Sequence, residues 1–152
     1  MAENESKGRK ILVAVDEGEE SMYALSWCLG NITIQNSKDT IVLLYAKPPL
    51  AVYSGLDGTA GMGVHLFSSN IMLTMESYRN EIKVETMIEN GDARDVICGA
   101  AEKLGVDMLV MGSHGYGLIK RAFLGSVSNH CAQNVKCPVL IVKRPKSTAE
   151  NK

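Results

Sequence analysis

Apolar positions along the chain form short continuous runs separated by stretches with helical spacing, and this alternation sets the first reading. Ile11-Leu-Val-Ala-Val15 is unbroken and flanked by charge, as expected of a strand buried on both faces. Met22, Leu25, Cys28, Leu29 and Ile32 then recur at three- and four-residue intervals, which predicts a helix with one apolar stripe. Thr40 to Ala46 is a second buried run, stopped by Pro48-Pro49, so the opening segments predict a β-α-β unit.

The pattern changes from Lys47 to Leu66, where Gly55, Gly58, Gly61 and Gly63 replace large side chains; this predicts a mobile connection. Phe67 to Tyr78 suits a short helix. Lys83 to Glu89 alternates Val84, Thr86 and Ile88 with charged neighbours, the signature of a half-exposed strand. In Gly91-Asp92-Ala-Arg-Asp95 an aspartate is placed to cap a helix carrying Val96, Ile97, Ala100, Ala101 and Leu104, with Gly105 as its left-handed stop. Met108 to Met111, Ser126 to Val135 and Pro138 to Val142 predict a fourth strand, a fourth helix and a fifth strand that starts at a proline.

Parallel strands need crossovers, and helices supply them here, so the chain reads as a Rossmann-like doubly wound α/β fold. Five parallel strands in the order 3-2-1-4-5 are expected. Residues 1–9 read as a polar tail, 10–145 as one folded domain and 146–152 as a second tail. Ligands of such sheets sit at strand carboxyl ends, which points to Asp16, Ala46 and Gly112.

Composition narrows the function classes. The 152 residues fit one domain of ~50 to 250, and 45% apolar residues supply a core. A net charge of -1 offers no broad field for nucleic acid or an anionic membrane, so neither is an expected partner. No apolar run approaches the ~20 residues of a membrane span, and the apolar stretch after MAENESKGRK is too short for a signal-peptide core. The expected location is the cytoplasm. Cys28, Cys98, Cys131 and Cys137 form no Cys-x-x-Cys pair, and three fall in predicted helices, as small apolar packing residues would rather than a metal site.

One segment carries candidate chemistry. Gly112-Ser-His-Gly115 follows the fourth strand, nine residues intervene, and Gly125-Ser126 opens a helix. Helix amino ends present unpaired amides and partial positive charge, and glycines let backbone approach phosphate oxygens closely; Ser126 and Ser128 add hydroxyls. The same glycines also suit a plain turn and cap. Neither a Walker loop nor the Gly-x-Gly-x-x-Gly fingerprint matches this spacing.

Gly112-x2-Gly115-x9-Gly125-Ser126 resembles the nucleotide-binding pattern of ATP-binding universal stress proteins at every fixed position. Val13-Ala-Val-Asp16 is similar to the family's first strand and Gly91-Asp92-Ala-Arg to its third turn. Gly112-Ser-His-Gly-Tyr-Gly and Pro138-Val-Leu-Ile-Val142 look like plant members, and the likeness spans Lys10 to Pro145. This resemblance implies ATP, ADP or AMP as ligand, with Mg²⁺ or Mn²⁺ arriving on the phosphates. It implies that Asp16, beside Ala14 and Val15, receives the ribose hydroxyls and that the backbone of Ala46 meets adenine. Gly112, Gly115, Gly125, Ser126 and Ser128 would surround the phosphates, Val127 would give an amide and Met111 would line the floor. Asp16 also suits a helix cap or a solvated acid. The family's dimers imply a homodimer through Val139 to Val142, an apolar edge strand. The stretch from Pro49 to Lys83 departs from plant relatives, which carry a longer helix there.

Ser113 beside His114 suggests a nucleophile and base, but neighbours in sequence rarely face each other and no orienting third group is evident. Lys120 and Arg121 read as a solvated basic pair as readily as a phosphate contact. Three functions follow: a nucleotide-dependent switch or dimer, a partner-binding or chaperone-like module with a vestigial pocket, and a slow phosphoryl-transfer enzyme.

Overall fold

In the computed structural model, residues 7–32, 38–47, 69, 71–76, 82–114 and 124–145 are described. The elements in chain order are β1 (Lys10–Val15), α1 (Glu19–Asn31), β2 (Thr40–Lys47), a helical segment α2 (71–76), β3 (Lys83–Asn90), α3 (Ala93–Leu104), β4 (Met108–Gly112), α4 (Ser126–Asn134) and β5 (Val139–Val142). The five strands make one all-parallel sheet in the order β3-β2-β1-β4-β5, as the sequence predicts. The expected mobile connection lies, beyond Lys47, outside the described residues.

Side chains alternate across the sheet, and each face has its own core. On one face Ile11, Val13 and Val15 of β1 with Ile41, Leu43 and Tyr45 of β2 pack on Ala24, Leu25, Cys28 and Leu29 of α1. On the other, Leu12, Ala14, Val42 and Leu44 meet Val96, Ile97, Ala100 and Ala101 of α3 and Cys131 of α4. The continuous apolar runs of β1 and β2 are thus explained by helices on both sides.

β3 departs from its expected alternation. Val84 packs with Ile71, Met75 and Ile82 on the α1 face, whereas Thr86 is exposed and Ile88 is 59% exposed; Met87 instead joins the opposite core. The strand is an edge with a sheet neighbour on one side only, so its apolar period does not guarantee cover.

Local end signals hold. Asp92 caps α3 by accepting from the Arg94 amide at 2.9 Å, and Gly105 closes the helix at φ 57°, ψ 47°. Hydrogen bonds from Arg94 hold Asp92 below the usual carboxylate range. A long-range pair had no sequence signal: Asp39, 1% exposed, accepts from the Arg9 amide at 2.8 Å and from Arg9 Nε at 3.1 Å, joining the start of β1 to the start of β2. Among the described residues no helix is long and apolar enough to cross a membrane.

Candidate functional site

Beyond the carboxyl ends of β1 and β4 the sheet changes the direction in which strands are added, and such switch points leave a crevice. A recess lies there. Its floor is Ala14 and Val15 from β1, Leu44 and Ala46 from β2, and Met111 and Gly112 from β4. Ala93 and Ile97 of α3 and Val127 and Ser128 of α4 form walls, and Asp16, Ser21 and His114 add polar lining. It encloses about 80 Å³. Sites for drug-sized ligands run to roughly 300 to 1,000 Å³, so this recess can seat only the buried part of such a ligand.

Of the residues put forward from sequence, Ala14, Val15, Asp16, Ala46, Met111, Gly112, Val127 and Ser128 meet in this recess. Gly125 and Ser126 begin α4 without lining it. Gly115, Lys120 and Arg121 lie outside the described residues. Sequence reasoning passed over Ser21, Leu44, Ala93 and Ile97. The last three lie on elements whose apolar faces were legible, but only the crossing of strands and helices brings them to one place.

Asp16 follows the last residue of β1. Its Oδ1 accepts from the Gly18 amide at 2.8 Å and from Ser21 Oγ at 3.0 Å, while the Asp16 amide donates to the same Ser21 hydroxyl at 3.0 Å. Gly18, the N-cap of α1, has no side chain to cap with, and the Asp16 carboxylate lies beside it at the helix entry. Asp16 thus braces the turn into α1 through the Gly18 amide and the Ser21 hydroxyl, while the N-cap position itself belongs to Gly18 and carries no side-chain cap bond; Asp16 lines the recess as well.

Gly112 ends β4 against the first turn of α1. A Cβ built on it would lie 3.0 Å from the Glu20 carbonyl carbon and 3.1 Å from its oxygen. Only a glycine permits that approach without displacement. Ser128, 2% exposed, donates its hydroxyl to the Gly112 carbonyl at 2.8 Å, and the Gly125 amide donates to the Ser113 carbonyl at 2.7 Å. These two bonds pin the amino end of α4 to the end of β4. Within α4 the Asn129 amide bonds to the Gly125 carbonyl at 2.9 Å, so the amides of Ser126, Val127 and Ser128 have no acceptor inside the helix.

The adjacent pair that sequence reasoning set aside does make contact: Ser113 Oγ lies 3.2 Å from His114 Nδ1. A third group is present too, since Ser113 Oγ donates to Glu20 Oε2 at 3.3 Å. Both features correct the expectation, because a loop leaving a strand turns neighbouring side chains to one side. The carboxylate nevertheless sits on the serine rather than behind the imidazole, whereas a nucleophile relay needs the acid to orient the base.

A larger cavity of about 320 Å³ lies near the amino ends of β4 and β5, bordered by Cys98, Glu102, Gly105, Asn134 and Cys137. It is remote from the strand carboxyl ends, where ligand-binding loops of this architecture emerge, so size alone does not identify the site. Among the described residues no three His, Cys, Asp or Glu side chains cluster as a metal site.

Comparison with known proteins agrees with this architecture. The model of the universal stress protein family matches residues 8–143. Universal stress protein MJ0577 of Methanocaldococcus jannaschii is 31% identical over 91% of this chain and 97% of its own length. A solved structure of MJ0577 superposes with a TM-score of 0.75 at 27% identity, covering 91% of this chain and 98% of that one. A universal stress protein family member from Arabidopsis thaliana, solved with AMP bound, gives a TM-score of 0.64 at 25% identity, covering 95% and 96% of the two chains. Universal stress protein PHOS32 of Arabidopsis thaliana is 28% identical over 90% of this chain, which spans 65% of PHOS32. With this fold, this switch-point recess and a family match along nearly its whole length, the chain belongs to the universal stress protein family.

Proposed function

We propose that this chain is a plant-type universal stress protein that binds ATP, or ADP or AMP, at the β1–β4 recess and uses the nucleotide to favour one conformation or a dimer. The observation that supports this most is the convergence of Asp16, Ala46, Gly112, Val127 and Ser128 on one recess beside the helix amino end of α4. The AMP carried by the 25%-identical Arabidopsis thaliana structure supports the same ligand class.

The residues suit an adenine nucleotide. Small side chains at Ala14, Ala46 and Ala93 leave room for the buried part of the ligand, and the Asp16 carboxylate is an acceptor suited to ribose hydroxyls. Amides of Ser126, Val127 and Ser128 at the positive end of α4 suit phosphate oxygens. The Ser128 hydroxyl proton is already given to Gly112, so this serine would hold the cradle in shape while its amide faces an anion. A divalent ion would be held chiefly by the phosphates and water. In this reading the nucleotide acts by being bound, and hydrolysis is slow or absent. The edge strand β5, with Val139, Leu140 and Ile141 partly exposed, would pair with its copy in a homodimer. A location in the cytoplasm suits this role.

Calorimetry with adenosine, AMP, ADP and ATP tests the proposal. Saturable binding should weaken for all four in Asp16→Ala, whereas Gly125→Val should weaken ATP more than adenosine. No heat from any ligand at millimolar concentration would remove the proposal and leave the partner-binding reading.

A further inference from the structure

Cys98 and Cys131 come from different helices, and their sulfurs lie 3.9 Å apart, with the Cys98 thiol directed at the Cys131 sulfur. Two small apolar residues packed in a core need not meet sulfur to sulfur. Their accessibility differs: Cys131 is 0% exposed, whereas Cys98 is partly exposed and borders the 320 Å³ cavity. A small oxidant can thus reach one member of the pair while the other waits behind it. Cys28 is sealed in the core on the opposite face of the sheet, whereas Cys137 borders the same cavity as Cys98, so the pairing has to be mapped.

We propose that Cys98 and Cys131 are a hydroperoxide-sensitive dithiol whose oxidation to a disulfide ties α3 to α4 and weakens nucleotide binding at the recess they flank. The second half of this statement rests on the function proposed above; the first half does not.

The chemistry balances with a hydroperoxide, ROOH, as oxidant. The Cys98 sulfur attacks the terminal peroxide oxygen, an S–O bond forms and the O–O bond breaks. The alcohol ROH leaves with the thiol proton, and Cys98 becomes a sulfenic acid. The Cys131 sulfur then attacks the Cys98 sulfur, an S–S bond forms and the S–O bond breaks. Hydroxide leaves as water with the Cys131 proton. Two thiols lose two electrons and the peroxide gains them. With hydrogen peroxide both products are water.

Coupling to the recess follows from sequence position. Cys98 is next to Ile97 on α3, and Cys131 is one helical turn after Ser128 on α4. Ile97 and Ser128 both line the recess. A disulfide holds its sulfurs at about 2.05 Å, so closing the 3.9 Å gap draws the two walls together. A recess of only about 80 Å³ has little room to give. Binding energies coupled in this way typically change affinity by about 5- to 150-fold, and a roughly tenfold loss is expected.

The test treats the full chain with hydrogen peroxide, blocks remaining thiols with iodoacetamide and maps the peptides by mass. A Cys98–Cys131 crosslink, reversed by dithiothreitol, lost in Cys98→Ser and in Cys131→Ser but kept in Cys137→Ser and Cys28→Ser, is the expected result. Should Cys131→Ser fail to fold, Cys98→Ser at the partly exposed position and Cys137→Ser still decide the pairing. Cys98 recovered unmodified, overoxidised without a crosslink, or joined to Cys137 overturns the proposal. AMP calorimetry on reduced and oxidised protein then reads the coupling. About tenfold weaker binding after oxidation supports it, and equal affinity in both states overturns it. If the reduced protein binds no adenine nucleotide, the proposed function and the regulation fall together, while the crosslink map stands on its own.

Discussion

Replacing Gly112 by alanine tests how the site is built. The added Cβ would lie 3.0 Å from the Glu20 carbonyl carbon, 3.1 Å from its oxygen and 3.2 Å from its Cβ, against ordinary contact from 3.4 Å outward. All three atoms belong to the backbone or Cβ of one helical residue, so no side-chain rotation relieves the overlap and the amino end of α1 must shift. Overpacking of this kind costs about 1 to 3 kcal/mol. Removing a glycine from the unfolded chain returns about 0.4 to 1 kcal/mol, which leaves a net loss of roughly 0.5 to 2 kcal/mol. At about 2 to 4 °C per kcal/mol for a chain of this size, Tm should fall by roughly 1 to 8 °C. Gly99 provides the control: it lies exposed within α3, and a Cβ added there would have nothing within 4 Å. Gly99→Ala should therefore gain about 0.5 to 1 kcal/mol and raise Tm. Thermal melts followed by circular dichroism read both variants. An unchanged or raised Tm for Gly112→Ala would refute the close approach of β4 to α1. The shift of Glu20 also disturbs the turn that holds Asp16, so AMP affinity should fall in the same variant.

Ser128→Ala removes the buried bond to the Gly112 carbonyl and should cost about 1 to 2 kcal/mol, read as a lower urea midpoint; an unchanged midpoint would show that the bond contributes nothing. Arg9→Ala removes the guanidinium bonds to the buried Asp39 carboxylate and leaves, among the described residues, the Arg9 amide bond to it, so a loss of about 3 kcal/mol is expected, with Arg9→Lys intermediate. Burial pushes the Cys28 thiol up from 9.0 to about 12, and Cys131 likewise to about 12. Because these folded values lie above the unfolded ones, the stabilisation is intact below about pH 9 and is lost as pH rises toward 12. The loss is on the order of 1 kcal/mol per thiol by pH 10. Urea melts at pH 8 and pH 10 under reductant should show a smaller fall for Cys28→Ala than for the unaltered chain, and equal falls would contradict it.

The amino-acid sequence alone determined those features whose causes are local. Continuous apolar runs announced β1, β2 and β4, since strands covered on both faces need no polar side, and Asp92 and Gly105 marked the ends of α3 because cap chemistry spans only a few residues. That the strands run parallel also followed, through the need for helical crossovers. The glycine and serine spacing singled out the end of β4 and the start of α4, and the fold brings them together through the Ser128–Gly112 and Gly125–Ser113 bonds. Tertiary structure alone decided what depends on through-space distance. Arg9 and Asp39 are 30 residues apart, Gly112 is tight only because α1 crosses its Cα, and Cys98 meets Cys131 only because α3 and α4 lie side by side. No window along the chain holds both partners of such a contact. The exposure of Ile88 has the same origin, because burial of a strand face depends on what the rest of the chain lays over it.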